Sequence, residues 1–81
     1  MIVSYTLMRI LPVKDKDVYK AVKNFSEVKE IVRTFGEYDL VIRVESPSLD
    51  DLDNFIFNKL RIIEGVIATT TLIEATPTDK S

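Results

Sequence analysis

The chain contains no cysteine, histidine or tryptophan, and only two glycines. Without cysteine there is neither a disulfide staple nor a thiolate nucleophile. Without histidine the usual general base near neutral pH and the favoured zinc and copper ligands are gone as well. Gly36 and Gly65 stand too far apart for a phosphate-cradling loop or a dinucleotide fingerprint. A basic excess is also missing: 11 Lys and Arg against 13 Asp and Glu give a net charge of -2, opposite in sign to the footprint of a nucleic-acid domain. No stretch approaches the roughly 20 apolar residues of a membrane span, and the early run Met1 to Leu11 is interrupted by Ser4, Thr6 and Arg9. Neither a basic leader nor a small-residue cleavage site is visible. These absences argue against metal centres, cysteine or histidine catalysis, common nucleotide chemistry, direct DNA contact and membrane insertion. A cytoplasmic protein is expected, with no cofactor and no metal.

What the chain does have is apolar substance, 46% hydrophobic residues in 81. That length suits one domain, since independent folding becomes marginal below about 60 residues. A domain so small commonly needs reinforcement, and with disulfides excluded the available reinforcement is association through an apolar face. A homo-oligomer is therefore expected.

Ile2 to Leu11 is rich in β-branched and aliphatic residues and is stopped by Pro12, so it reads as a strand. Both of its faces are apolar, Val3, Tyr5 and Leu7 on one and Ile2, Met8 and Ile10 on the other, which is unexpected for a sheet wetted on one side. From Asp15 to Phe25 the period changes: Val18, Ala21, Val22 and Phe25 form one stripe, as in an amphipathic helix. Val28 to Phe35 alternates imperfectly, Gly36 to Asp39 has turn composition, and Leu40 to Glu45 alternates strictly; together they read as a hairpin. Ser48 is a good N-cap for a helix carrying Asp50, Asp51 and Asp53 in its first turn, with Leu49, Leu52, Phe55, Ile56, Leu60 and Ile63 at helical spacing. Gly65 ends it, and Val66 to Ala75 reads as a last strand with Ile67, Thr69, Thr71 and Ile73 on one face.

The order β-α-β-β-α-β predicts an α+β, ferredoxin-like fold in a single domain over residues 1–76, followed by a polar tail at 77–81. Right-handed crossovers put the first and third strands in the middle of a four-stranded antiparallel sheet and both helices on one face. The other face lacks cover within the chain, and an isologous face-to-face dimer of the dimeric α/β-barrel type is the simplest cover.

Two constellations stand out. At Gly36, Glu37, Tyr38 and Asp39, a positive φ at glycine would expose amide donors for a carboxylate, while the two acids would accept from an ammonium group; a zwitterionic amino acid needs both. Taken as residues alone, a hairpin turn in which Asp39 bonds its own backbone accounts for them better. Thr69 and Thr71 offer hydroxyls on an edge strand, but strand propensity explains them as well. The aspartates at 50, 51 and 53 read as a solvated helix start rather than a catalytic cluster.

Jointly these motifs carry a resemblance. The stretch from Val28 to Val44, with Phe35-Gly36-Glu37-Tyr38-Asp39-Leu40 at its centre, resembles the ligand-binding (RAM) domain of the Lrp/AsnC transcription regulators. Asn58-Lys59-Leu60 followed by Gly65-Val66 and Thr69-Thr70-Thr71-Leu72-Ile73 is similar to that family's second half in order and spacing. The resemblance implies a non-enzymatic domain that dimerises through its sheet, assembles dimers into rings, often octamers, and binds free amino acids between dimers. It places Gly36, Glu37, Tyr38 and Asp39 on one side of the effector site and Thr69 and Thr71 opposite. Full members carry an N-terminal helix-turn-helix; this sequence starts its strand almost at Met1, so a stand-alone effector domain is expected, acting on transcription by co-assembly with full-length relatives. A small dimeric-barrel oxygenase or isomerase, working between sheet and helices near Tyr5 or Arg9, and a purely structural assembly partner are the other readings. An amino-acid-binding ACT-type module shares the topology, but its ligand loop would fall near Pro12 and Val13, where no glycine stands.

Overall fold

In the computed structural model, which describes residues 1–75, four strands and two helices follow in the expected order. The proposed domain limit at 76 and the polar tail at 77–81 lie outside the described residues. Strand β1 (Ile2–Ile10) leads through a short 3-10 turn, Pro12–Lys14, into helix α1 (Asp15–Lys23). Pro12 suits that turn because its missing N–H would have had no partner there. Acids Asp15 and Asp17 open α1 and Lys20 and Lys23 close it, each favourable to the helix dipole. Strands β2 (Val28–Arg33) and β3 (Leu40–Ser46) form the hairpin, and helix α2 (Leu49–Phe55) runs directly into a π-helical turn, Ile56–Leu60, before β4 (Val66–Ile73).

The sheet is antiparallel with order β2-β3-β1-β4, so β1 and β3 are central as the crossover rule requires. Its helix-covered face carries Ser4, Thr6, Met8 and Ile10 from β1 and Leu40, Ile42, Val44 and Ser46 from β3, all buried. Onto them pack Val18 and Val22 of α1 and Leu52, Phe55, Ile56 and Leu60 of the second helical segment, and Phe25 meets Phe55 edge to face at 5.4 Å. The open face carries Val3, Tyr5, Leu7 and Arg9 of β1 with Val41, Arg43 and Glu45 of β3 opposite or beside them.

Three departures from simple periodicity have local causes. The imperfect alternation of β2 is a bulge: the register shifts between Val28 and Glu30, so Val28 and Ile31 both face the helices while Glu30 and Val32 face the open side. In β4 the register shifts opposite Arg9 and Ile10, which separates Ile67 from the row formed by Thr69, Thr71 and Ile73. The second helix changes to π geometry at Ile56, where the Arg61 N–H reaches the Ile56 carbonyl at 2.9 Å. Periodicity does not reveal that change, because Ile56 and Leu60 face the core in either geometry. The Ser48 cap forms as expected: its hydroxyl accepts from the Asp51 N–H at 3.2 Å and donates to the Asp51 carboxylate at 3.0 Å. No described helix is long and apolar enough to cross a membrane.

Candidate functional site

The β2–β3 turn is fastened at its base by Asp39. Its N–H donates to the Met8 carbonyl at 2.8 Å, its carbonyl accepts from the Thr34 N–H at 3.1 Å, and its carboxylate accepts from the Ile10 N–H at 2.8 Å. Asp39 therefore ties the turn to β1 through the N–H of Ile10, which stands opposite the β4 bulge. Thr34 adds a second tie, its hydroxyl donating to the Tyr38 carbonyl at 2.6 Å. Gly36 adopts φ +117°, a region that L side chains rarely enter, and the space beside its Cα is open. Glu37 is exposed at the tip.

Tyr38 turns the other way and meets β4, its hydroxyl lying 3.1 Å from Thr70 Oγ1. The turn and β4 thus come together, but through Thr70. Thr69 and Thr71 lie opposite Met8 and Thr6 and point toward the helices, where Thr71 exchanges a 2.9 Å hydrogen bond with Thr6. Of the expected residues, Gly36, Glu37, Tyr38 and Asp39 share the turn, while Thr69 and Thr71 stand on the opposite face of β4 from the hydroxyl that Tyr38 touches. Period 2 separates Thr70 from Thr69 and Thr71, but only the pairing with β1 shows which of them faces away from the helices.

Beside the turn lies a hollow of about 260 Å³ lined by Asp15, Arg33, Thr34, Phe35 and Asp39. Arg33 is held there by Asp15 at 2.5 Å and by the Tyr19 ring, 4.6 Å from its guanidinium carbon. Phe35 is fully exposed at the rim. In the sequence Arg33 is one of several scattered arginines and Phe35 the end of a strand; the contact that joins Arg33 to Asp15, 18 residues apart, forms only when α1 packs beside β2. The hollow holds a cation and two carboxylates within one small space.

A second polar group occupies the open face. Arg43 contacts Glu45 at 2.7 Å, and the Tyr5 hydroxyl donates to Glu74 at 3.1 Å. The hydrogen-bonding Tyr5 side chain, and after it Glu45, hold the Arg43 guanidinium above its usual pKa against the opposing effect of burial. With Glu30, Val32 and Val41, Tyr5 and Arg43 line a hollow of about 150 Å³. Tyr5 and Arg9 thus stand on the face away from the helices, not between sheet and helices where a barrel enzyme was considered. Among the described residues, no group of three acids is placed to hold a metal ion.

Comparison with known proteins matches residues 7–75 to the Lrp/AsnC ligand binding domain. The HTH-type transcriptional regulator FL11 of Pyrococcus furiosus is 29% identical over 72 residues, which cover 89% of this chain and 47% of that protein. The chain spans about half the length of the curated relatives it matches. A hypothetical protein of Pyrococcus horikoshii, PHS023, has a solved structure 34% identical to it, with a TM-score of 0.86 and coverage of 99% of this chain and 96% of that one. The transcriptional regulator NMB0573 of Neisseria meningitidis, solved as a complex with L-Met, shares the fold at 18% identity and a TM-score of 0.86, covering 93% of this chain and 50% of that one. The family model spans residues 7–75, most of the chain, and the chain belongs to the Lrp/AsnC ligand-binding-domain family.

Proposed function

We propose that this domain binds a free amino acid at the Gly36–Asp39 turn, assembles with further copies of itself through its open sheet face, and serves transcription regulation together with full-length Lrp/AsnC regulators. The observation that carries the reading is the hollow beside the turn. Arg33 supplies a donor for a carboxylate, Asp15 and Asp39 supply acceptors for an ammonium group, and Phe35 supplies an apolar wall. Those are the three parts of an α-amino acid. The Tyr38–Thr70 contact fixes one flank of the turn to the sheet, so the site is partly organised before a ligand arrives.

At about 260 Å³ the hollow lies below the roughly 300 Å³ at which pockets for drug-sized ligands begin. It therefore suits a small ligand. The L-Met bound to the Neisseria fold neighbour is in keeping with that ligand class.

Thermal unfolding and titration calorimetry against the twenty amino acids test the reading. A ligand at about 100 times its Kd adds about 2.7 kcal/mol of stability by mass action, a rise of several degrees in Tm for a domain this small. Tyr38→Phe, which removes the turn's tie to Thr70, is expected to weaken binding and to lower the unliganded Tm only slightly, because that contact is exposed. If none of the twenty raises Tm or gives heat, amino-acid sensing at this turn is wrong.

A further inference from the structure

The hollow beside the turn carries an unequal count of charge. Two carboxylates, Asp15 and Asp39, and one guanidinium, Arg33, line it together with Thr34 and Phe35. Each carboxylate is fastened by one oxygen: Asp15 Oδ2 lies 2.5 Å from Arg33, and Asp39 Oδ2 accepts from the Ile10 N–H at 2.8 Å. Among the described residues no hydrogen bond or ion pair engages the second oxygen of either, so both keep an acceptor for a ligand. Lys14, next to Asp15 in the chain, does not redress the balance, because its ammonium lies 3.5 Å from Glu64.

An α-amino acid with an uncharged side chain brings one carboxylate and one ammonium. It satisfies Arg33 and one aspartate and leaves the other aspartate facing ligand surface instead of solvent. In a hollow of about 260 Å³ that carboxylate opposes binding, because its hydration is lost and no cation replaces it. A side chain bearing a carboxylate of its own makes the imbalance worse. A second cation, carried on the side chain, removes it, and the charges of the ligand then mirror those of the lining. Phe35, wholly exposed at the rim, suits the same ligand, since a methylene stem covers the ring while its charged end stays among polar groups.

We propose that the site at the Gly36–Asp39 turn selects amino acids with a cationic side chain, of the lysine and ornithine class, and that Asp15 is the residue that selects them. The inference rests on the amino-acid reading above and adds the class of side chain. The roles divide by what holds each group. Asp39 is bonded to the backbone of β1 and belongs to the turn itself, so it receives the α-ammonium. Arg33 has several N–H donors, of which Asp15 uses only part, and the rest take the α-carboxylate. Asp15 stands on α1, a different element from the turn, and receives the side-chain cation. Specificity then comes from a charge that the wrong ligand leaves unpaired.

Titration calorimetry on the full chain with L-lysine, L-norleucine and L-glutamate reads the selection, because norleucine keeps the stem of lysine without its ammonium. Lysine is expected to bind at least about tenfold more tightly than norleucine, with glutamate the weakest. Asp15→Asn removes one charge at nearly constant shape, and the uncharged side chain becomes the balanced one. Lysine is then expected to lose about tenfold, and norleucine to stay within about threefold of its wild-type affinity. Asp15 is partly exposed, so circular dichroism should show a folded variant. Failure of all twenty amino acids to bind overturns the amino-acid reading itself. Norleucine binding as tightly as lysine to the wild type overturns the selectivity and leaves that reading standing. A lysine preference that Asp15→Asn leaves intact, or a loss shared equally by both ligands, overturns the role of Asp15.

Discussion

On the helix-covered side of β1, Ser4, Thr6 and Met8 are wholly buried, whereas on the other side of the same strand Tyr5 and Leu7 are half-buried and Arg9 is exposed. Both sides are apolar enough to need cover. The covered side is closed by Val18, Val22, Leu52, Phe55 and Leu60, and among the described residues it leaves the hydroxyls of Ser4 and Ser46 without partners. The open side instead carries an ordered polar network across β1, β3 and the end of β4. A core tolerates few charges because each must be desolvated, while an interface uses them to choose its partner. The contrast separates residues that make the domain fold from residues that, in the assembly proposed above, would make it associate.

The sharpest way to break that contrast is to cut into each side in turn. Phe55→Ala removes a ring that is only 1% exposed and packed on Phe25, and should cost about 3–5 kcal/mol, read as a large fall in the midpoint of a denaturant titration at 25 °C. Leu7→Ser on the open side should leave the unfolding of the dilute monomer nearly unchanged and abolish the concentration dependence of Tm. If Leu7→Ser destabilises the monomer as Phe55→Ala does, the two sides are not distinct.

A smaller effect separates the two glycines that border the faces. Both have positive φ, +117° at Gly36 and +104° at Gly65, but a Cβ at Gly36 meets open space while one at Gly65 collides with Lys14 and comes within 3.2 Å of Val18. Gly36→Ala should therefore cost about 1 kcal/mol from conformation alone, and Gly65→Ala clearly more, since α1 must shift to admit it. Equal losses in chemical denaturation would show that the packing of α1 on Gly65 does not matter.

The smallest effect lies at the rim of the covered face. Lys59 donates to Glu27 at 2.7 Å, and that hydrogen bond holds the Glu27 carboxyl below its usual range, against a smaller opposing push from burial. Because the folded pKa is the lower one, the stabilisation is present above the unfolded value near 4.5 and is lost as pH falls through the folded value. The pair is partly exposed, which limits it to below about 1 kcal/mol. Comparing Tm against pH for the wild type and Lys59→Met should show the wild-type advantage above pH 5 shrinking in acid; an advantage that persists at pH 2 would contradict it.

Element order, the crossover topology, the Ser48 cap and the two-sided apolarity of β1 were all legible in the residues, because each follows from period, capping chemistry or chirality acting over a few positions. The turn at Gly36–Asp39 was legible as a place, since only a glycine admits its φ. The role of Asp39 was not: its carboxylate bonds Ile10, 29 residues away. The partner of Tyr38 was likewise hidden, because a run of three threonines does not say which hydroxyl faces outward until pairing with β1 is known.

By itself, then, the sequence determined which segments become strands and helices, that both sides of one strand would demand cover, and which chemistry was out of reach without histidine or cysteine. Tertiary structure alone decided that Arg33, Asp15 and Phe35 share a hollow and that Thr70 rather than its neighbours meets Tyr38. The physical reason is range. Propensity, capping and period are local properties of the chain, whereas the sites depend on strand register, which two bulges shift by one residue and which only the packed sheet sets.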